Sequence, residues 1–318
     1  MANIPEIDAA SPLIFVINAA SGRNDPDATR QVIEQTLHAN GRVGELLYAK
    51  PGELANVARK GAAKARARRS AVVAVGGDGT INAVAQAAYI DNCPMGLVPQ
   101  GTFNYFARTH GIPTDAAGAM QALLNSVPVP VQVGLINDQV FLVNASVGLY
   151  PDLLQDREAY KVRFGRSRLV AFAAALVTLL VRHRQLHLRI ERSAGACEVK
   201  TPTLFVGNNR LQLEQVGLPE AQALDEGCIA AVMLRPIGSL AILWLLFRGA
   251  FGSLGEADTV ESFKFHRMLV TPRPARGGRK VKVAFDGELS HMSVPLDFRV
   301  APKPLFLLKS GVTQPERA

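Results

Sequence analysis

Gly76-Gly77-Asp78-Gly79-Thr80, followed by Ile81 and Asn82, is the stretch whose residue types point most directly to chemistry. Three glycines in four residues let a backbone turn sharply and approach a ligand with no Cβ in the way. A helix begun there aims its N–H groups and the positive end of its dipole into the turn. The pattern reads as a phosphate cradle. Asp78, a carboxylate among such groups, suits a Mg²⁺ ligand or the activation of a hydroxyl. Neither GxxxxGK[ST] nor GxGxxG occurs, so the loop is of another kind. In Pro99-Gln100-Gly101-Thr102-Phe103-Asn104, Gly101 permits close approach, Thr102 and Asn104 offer polar atoms, and Arg108 follows with a cation. Late in the chain, Phe285-Asp286-Gly287-Glu288 puts two acids on one turn, a base and a partner for it. Taken singly, each motif also has a plain structural reading: a tight strand-to-helix turn, a capped helix, an Asp-Gly β-turn.

The elements that must position these groups follow from the apolar pattern. Leu13–Asn18, Gly44–Ala49, Ala71–Val75 and Gly96–Val98 read as short strands, alternating with helices over about 27–39, 53–68 and 81–89. This order predicts an α/β domain over 1–126 with a parallel sheet covered on both faces. GGDGT and GTFN then lie just past strand C-termini, where open α/β sheets bind ligands. From 127 to 300 the pattern changes to short strands separated by turns: 129–135, 139–148, 185–192, 203–208, 228–234, 262–270, 280–285 and 293–300. That predicts a mostly β sandwich domain. Apolar helices interrupt it at about 167–182 and 238–251.

With 318 residues, 48% hydrophobic and 19% charged, the chain can bury two cores. The opening residues carry acids and no basic stretch, so no secretory leader is expected. The longest apolar runs, Leu169–Val181 and Ile237–Phe247, fall short of the ~20 residues a membrane span needs. Three widely spaced cysteines support neither a disulfide framework nor a zinc knuckle, and fit a reducing cytoplasm. A net charge of +8 favours anionic partners. The basic run Arg59–Arg69 reads as a solvated helix face, whereas Lys161–Arg168, just before an apolar helix, suits a membrane surface.

GGDGT, GTFNYFAR and the late DGE together resemble the diacylglycerol kinase catalytic family, in its branch of soluble bacterial lipid kinases related to sphingosine and ceramide kinases. The resemblance runs from about Leu13 to Leu307. Asn18-Ala19-Ala20-Ser21-Gly22 is similar to the family's Asn-Pro-x-x-Gly turn, with alanine for proline. It implies an α/β domain like that of NAD kinase and phosphofructokinase, to which 301–318 returns. It also implies ATP held between the domains, with Asn18, Gly76, Gly77, Asp78, Gly79, Thr80, Asn82, Gly101, Thr102 and Asn104 on the nucleotide side. Tyr48 stands where the family often has a threonine contact. Glu288 becomes the proton acceptor, Asp286 its support, and Asp78 a helper of the catalytic Mg²⁺. A structural Mg²⁺ would be held by the Glu226 side chain, in place of the family's aspartate, and by the carbonyls of Ala223 and Cys228. The activity implied is ATP-dependent phosphorylation of a membrane lipid such as diacylglycerol. Ceramide, a sphingoid base or phosphatidylglycerol are alternative acceptors. A soluble-substrate kinase of the NAD kinase type also uses GGDG, but would need neither GTFN, the late DGE nor the apolar helices. A non-catalytic lipid-binding protein would not need Asp78, Asp286 and Glu288. The expected setting is cytoplasmic and peripheral to a membrane, with a homodimer compatible and nucleic acid not a partner.

Overall fold

A computed structural model describes residues 4–8, 10–18, 26–148, 151, 185–193, 195–215, 217–235, 260–273 and 280–310. The expected apolar helices, the Lys161–Arg168 cluster and the turn beyond Asn18 lie outside these residues. Among the described residues, no helix is long and apolar enough to cross a membrane. The chain divides into two compact units, 1–133 with 302–318, and 134–301.

In the first unit, Leu13–Asn18 (β1), Val72–Gly76 (β3) and Met95–Pro99 (β4) are uninterrupted apolar runs, as strands covered on both faces require. With Gly44–Ala49 (β2), Val127–Val131 (β5) and Leu305–Lys309 (β18) they form a six-stranded sheet ordered β2-β1-β3-β4-β18-β5. All neighbours pair parallel except β18 and β5. Helices Pro26–Ala39 (α1) and Ala116–Leu124 (α5) supply Ile33, Leu37, Ala119, Met120 and Leu123 to a core with Phe15, Val73 and Val75. Helix Leu54–Ala67 (α2) presents Ala58, Gly61, Ala62 and Ala65, a small-residue stripe at helical spacing. A Cβ at Gly61 would lie 2.8 Å from Val16 Cγ2, so α2 rests closely on the side chains of the sheet at its glycine. The polar side of α2 is a solvated face, with Lys64 and Arg68 both paired to Glu45.

Helix Asp78–Asp91 (α3) begins inside the glycine motif, three residues before the expected start, because Gly77 is its N-cap and Asp78–Thr80 its first turn. The short helix Tyr105–Thr109 (α4) buries Phe106, which meets His110 edge-on at 4.7 Å. Burial, and then the charge of Lys309, push the His110 pKa down from 6.5 to about 4. The native state therefore holds a neutral imidazole that the unfolded chain protonates more readily. Stability is complete above pH 6.5 and falls as the pH drops towards 4, by up to about 3 kcal/mol. Acid titration of His110→Gln should lack that loss.

The second unit holds two six-stranded antiparallel sheets. One contains Gly134–Ile136 (β6), Gln139–Phe141 (β7), Leu186–Arg192 (β9), Gly195–Thr201 (β10), Arg267–Arg273 (β14) and Leu296–Val300 (β17). The other contains Asn144–Gly148 (β8), Thr203–Gly207 (β11), Ile229–Leu234 (β12), Val260–Phe265 (β13), Lys280–Phe285 (β15) and Glu288–Ser293 (β16). Inner-face residues of both, among them Phe141, Val147, Leu204, Val270, Val283 and Phe298, share one core, which makes the unit a sandwich. Outside the second sheet, helix Arg210–Gln215 (α6) and the 3₁₀ helix Pro219–Leu224 bury Leu213, Leu218 and Ala221 on Ala230 and Val232. Three runs read as single strands are each two strands in different sheets. They are 129–135 (β5 and β6), 139–148 (β7 and β8) and 262–270 (β13 and β14). The first of these also places the division of the chain at Val133/Gly134 rather than at 126/127.

Candidate functional site

The strand order fixes where the first unit gathers its motifs. The chain runs from β1 out to β2, then returns past β1 to β3, so the direction of winding reverses between β1 and β3. Because β1, β3 and β4 are parallel, with Ile17 opposite Val75 and Gly76 opposite Pro99, their C-termini emerge on one side. Asn18, Gly76–Thr80 and Gly101–Asn104 all lie there, at the switch point that open α/β sheets use for ligands. Asn18 Nδ2 donates to Thr80 Oγ1 at 3.3 Å across the reversal.

The two glycine turns pack backbone against backbone. Gln100 N–H donates to the Gly76 carbonyl at 2.8 Å. A Cβ on Gly101 would meet Gly77 Cα at 3.2 Å and Asp78 Oδ2 at 3.3 Å, so only glycine allows this closeness. The first backbone bond of α3 runs from Ile81 N–H to the Gly77 carbonyl at 3.0 Å. The N–H groups of Asp78, Gly79 and Thr80 thus have no acceptor in the helix ladder and point out of its positive end.

Asp78 is half-buried at this end, and its carboxylate accepts the backbone N–H of Asn104 and its own. Burial pushes its pKa up, against those two hydrogen bonds. A native carboxyl that binds its proton more readily than the unfolded chain makes stability fall as pH rises from the ordinary carboxylate value through the raised native one. Asp78→Asn should lack this slope. Melting temperatures across a pH series would then show the variant gaining on the wild type as the pH climbs through that window. A half-desolvated carboxylate beside open N–H groups fits Mg²⁺, which takes one or two protein carboxylates and leaves its other positions to phosphate and water.

Three candidates occupy different positions from those their residue types suggest. Thr80 and Asn82 are only 2% and 4% exposed, so their side chains brace the turn, leaving Thr80 its backbone N–H to offer. Asn104 is buried in the left-handed region at φ 49°, its Oδ1 accepting from Gly101 N–H at 3.0 Å and its Nδ2 donating to the Gly101 carbonyl at 2.9 Å. It is a clasp for the loop, and through its own N–H it places Asp78. Thr102 is exposed on the same turn.

In the second unit, Asp286 and Gly287, at φ 46° and 85°, form the two-residue turn between β15 and β16, with Glu288 opposite Phe285. The Asp286 carboxylate is buried and accepts three backbone N–H groups, Leu142 at 2.7 Å, Val143 at 2.8 Å and Asn144 at 3.0 Å. Its N–H donates to the Asn144 carbonyl at 3.0 Å. Asp286 therefore locks the turn to the β7–β8 connection, and Glu288 alone of the two acids is exposed. Sequence reasoning missed the polar residues around this lock. Asn144 Nδ2 donates to Gln212 at 3.1 Å, while its buried Oδ1 and the Ser146 hydroxyl have no hydrogen-bond partner among the described residues. Asparagine and serine inside otherwise apolar strand runs were the available signal.

The Glu226 turn is arranged differently from the expected metal site. The Glu226 carboxylate is engaged by Lys264 Nζ, whose pKa it raises. The Ala223 carbonyl accepts from Glu226 N–H at 3.2 Å and Cys228 N–H at 3.1 Å. No cluster of three or more metal-binding side chains exists among the described residues.

A sequence profile of the diacylglycerol kinase catalytic domain matches residues 12–136. A diacylglycerol kinase of Bacillus subtilis is 42% identical over 88 residues, 27% of this chain and 29% of that protein. A YegS-like lipid kinase of Pseudomonas putida is 32% identical over 179 residues, 52% of this chain and 57% of that one. The aligned stretch is thus less than two thirds of either relative. A solved diacylglycerol kinase structure from Bacillus anthracis superposes with a TM-score of 0.68 at 18% identity, over 94% of this chain and 97% of that one, a likeness of fold. Residues 12–136 are thus similar to the diacylglycerol kinase catalytic domain.

Proposed function

We propose that the chain is an ATP-dependent lipid kinase that moves the terminal phosphoryl group of ATP to a hydroxyl of a membrane lipid such as diacylglycerol. The observation that carries this reading is the contact of Gly77 with Gly101 over the open N-terminus of α3, at the sheet's switch point. Mg²⁺, held through Asp78, would neutralise phosphate charge. The N–H groups of Gly79 and Thr80 bind phosphate oxygens at the helix end. Glu288 takes the proton of the acceptor hydroxyl as its oxygen bonds to phosphorus and ADP departs with the electrons of the broken P–O bond. Asp286, held by three N–H groups, fixes the turn that presents Glu288. Peripheral membrane association and a homodimer are also part of the proposal.

The acceptor is tested by mass spectrometry of a panel incubated with ATP and Mg²⁺. It comprises vesicles of diacylglycerol, phosphatidylglycerol, ceramide or a sphingoid base, with NAD and fructose 6-phosphate as soluble arms. A phosphorylated lipid is the expected product. Phosphorylation of a soluble arm alone would place the chain with the soluble-substrate kinases.

A further inference from the structure

The turn after the 3₁₀ helix carries adjacent acids, Asp225 and Glu226, and cations of this chain already answer both. Arg210 Nη1 donates to Asp225 Oδ2 at 2.6 Å, and Arg210 Nε to Glu214 at 2.6 Å. Lys264 Nζ holds Glu226 Oε2. That second pairing is set by the fold: the β12–β13 ladder puts Lys264 opposite Ala230, two residues past the end of the turn. Gly227, at φ 74°, reverses the chain so that Glu226 comes back towards it. Just past the end of β13, His266 Nδ1 lies 3.1 Å from the Gly227 carbonyl and Nε2 3.6 Å from Cys228 Sγ, occupying the near side of the turn.

A divalent ion on Glu226 and the Ala223 and Cys228 carbonyls would have to displace this ammonium. It would also compete with the two N–H groups on the Ala223 carbonyl. Mg²⁺ tolerates little departure from octahedral geometry and gives up its water reluctantly. An ammonium on a strand-anchored arm meets the same carboxylate with neither demand. We propose that in this chain Lys264 takes the place of a divalent cation at the Ala223–Cys228 turn, and that its ammonium is what excludes the ion. The turn is then formed without metal, independently of the nucleotide chemistry proposed above.

Thermal unfolding of the full chain without nucleotide tests this, in excess magnesium chloride and in EDTA. The wild type and Glu226→Gln are expected to respond alike, to within about 1 °C. Lys264→Met, which leaves the carboxylate open, is expected to gain a magnesium-dependent rise of about 2 °C or more. A rise in the wild type that Glu226→Gln lacks would overturn the proposal. So would a Lys264→Met protein whose response matches the wild type.

Discussion

Glu288→Gln is expected to lower phosphoryl transfer by about 10²–10⁴-fold, the usual contribution of a positioned general base. The amide keeps the size of the side chain and removes its ability to take a proton. Glu288 is exposed at the first position of β16, so unfolding curves should be unchanged. Initial rates with saturating ATP and lipid, set beside urea denaturation, separate the two effects. A variant turning over at the wild-type rate would remove Glu288 from the mechanism.

Its neighbour should behave in the opposite sense. Asp286→Ala deprives three buried N–H groups of their acceptor, each worth about 1–3 kcal/mol when left unmet. With water partly filling the gap, a stability loss of about 3–5 kcal/mol is expected in urea denaturation. Activity falls as well, because the turn that presents Glu288 is no longer tied to β8. Two acids two residues apart thus separate by measurement, one affecting rate alone and the other stability first. Equal stability of Asp286→Ala and wild type would mean that the lock is not what holds the turn.

Where a residue's local sequence decides its place, the chain was readable. β1 and β3 are buried on both faces and say so by the unbroken apolar runs Leu13–Ile17 and Val72–Val75. The glycines of 76–79 announce a turn, which Gly76 opens at φ 157°. What escaped were features set by distant partners. The split of 262–270 at His266 changes sheets without a turn residue, because β13 is fixed by β12 and β14 by β9 and β17. β10 was missed because its sequence, GACEVKT, belongs to an exposed edge strand with few apolar positions. β18 was not read as a strand, since only its pairing with β4 and β5 makes it one. The site shows the same division. Asp78 and Gly101 were legible from type and spacing, whereas the inward clasp of Asn104 on Gly101 follows from its left-handed backbone and the three-donor cage of Asp286 from backbone more than 140 residues away.

The central claim is that the cradle around Asp78 delivers a nucleotide's terminal phosphoryl group to a lipid. Its most direct test follows label from γ-phosphate-labelled ATP into extracted lipid, with Mg²⁺ and diacylglycerol vesicles, for the wild type and Asp78→Ala. The account predicts labelled phospholipid with the wild type and none above background with the variant, both proteins being folded. Label that enters no lipid with the wild type, or enters at the same rate with Asp78→Ala, would contradict it.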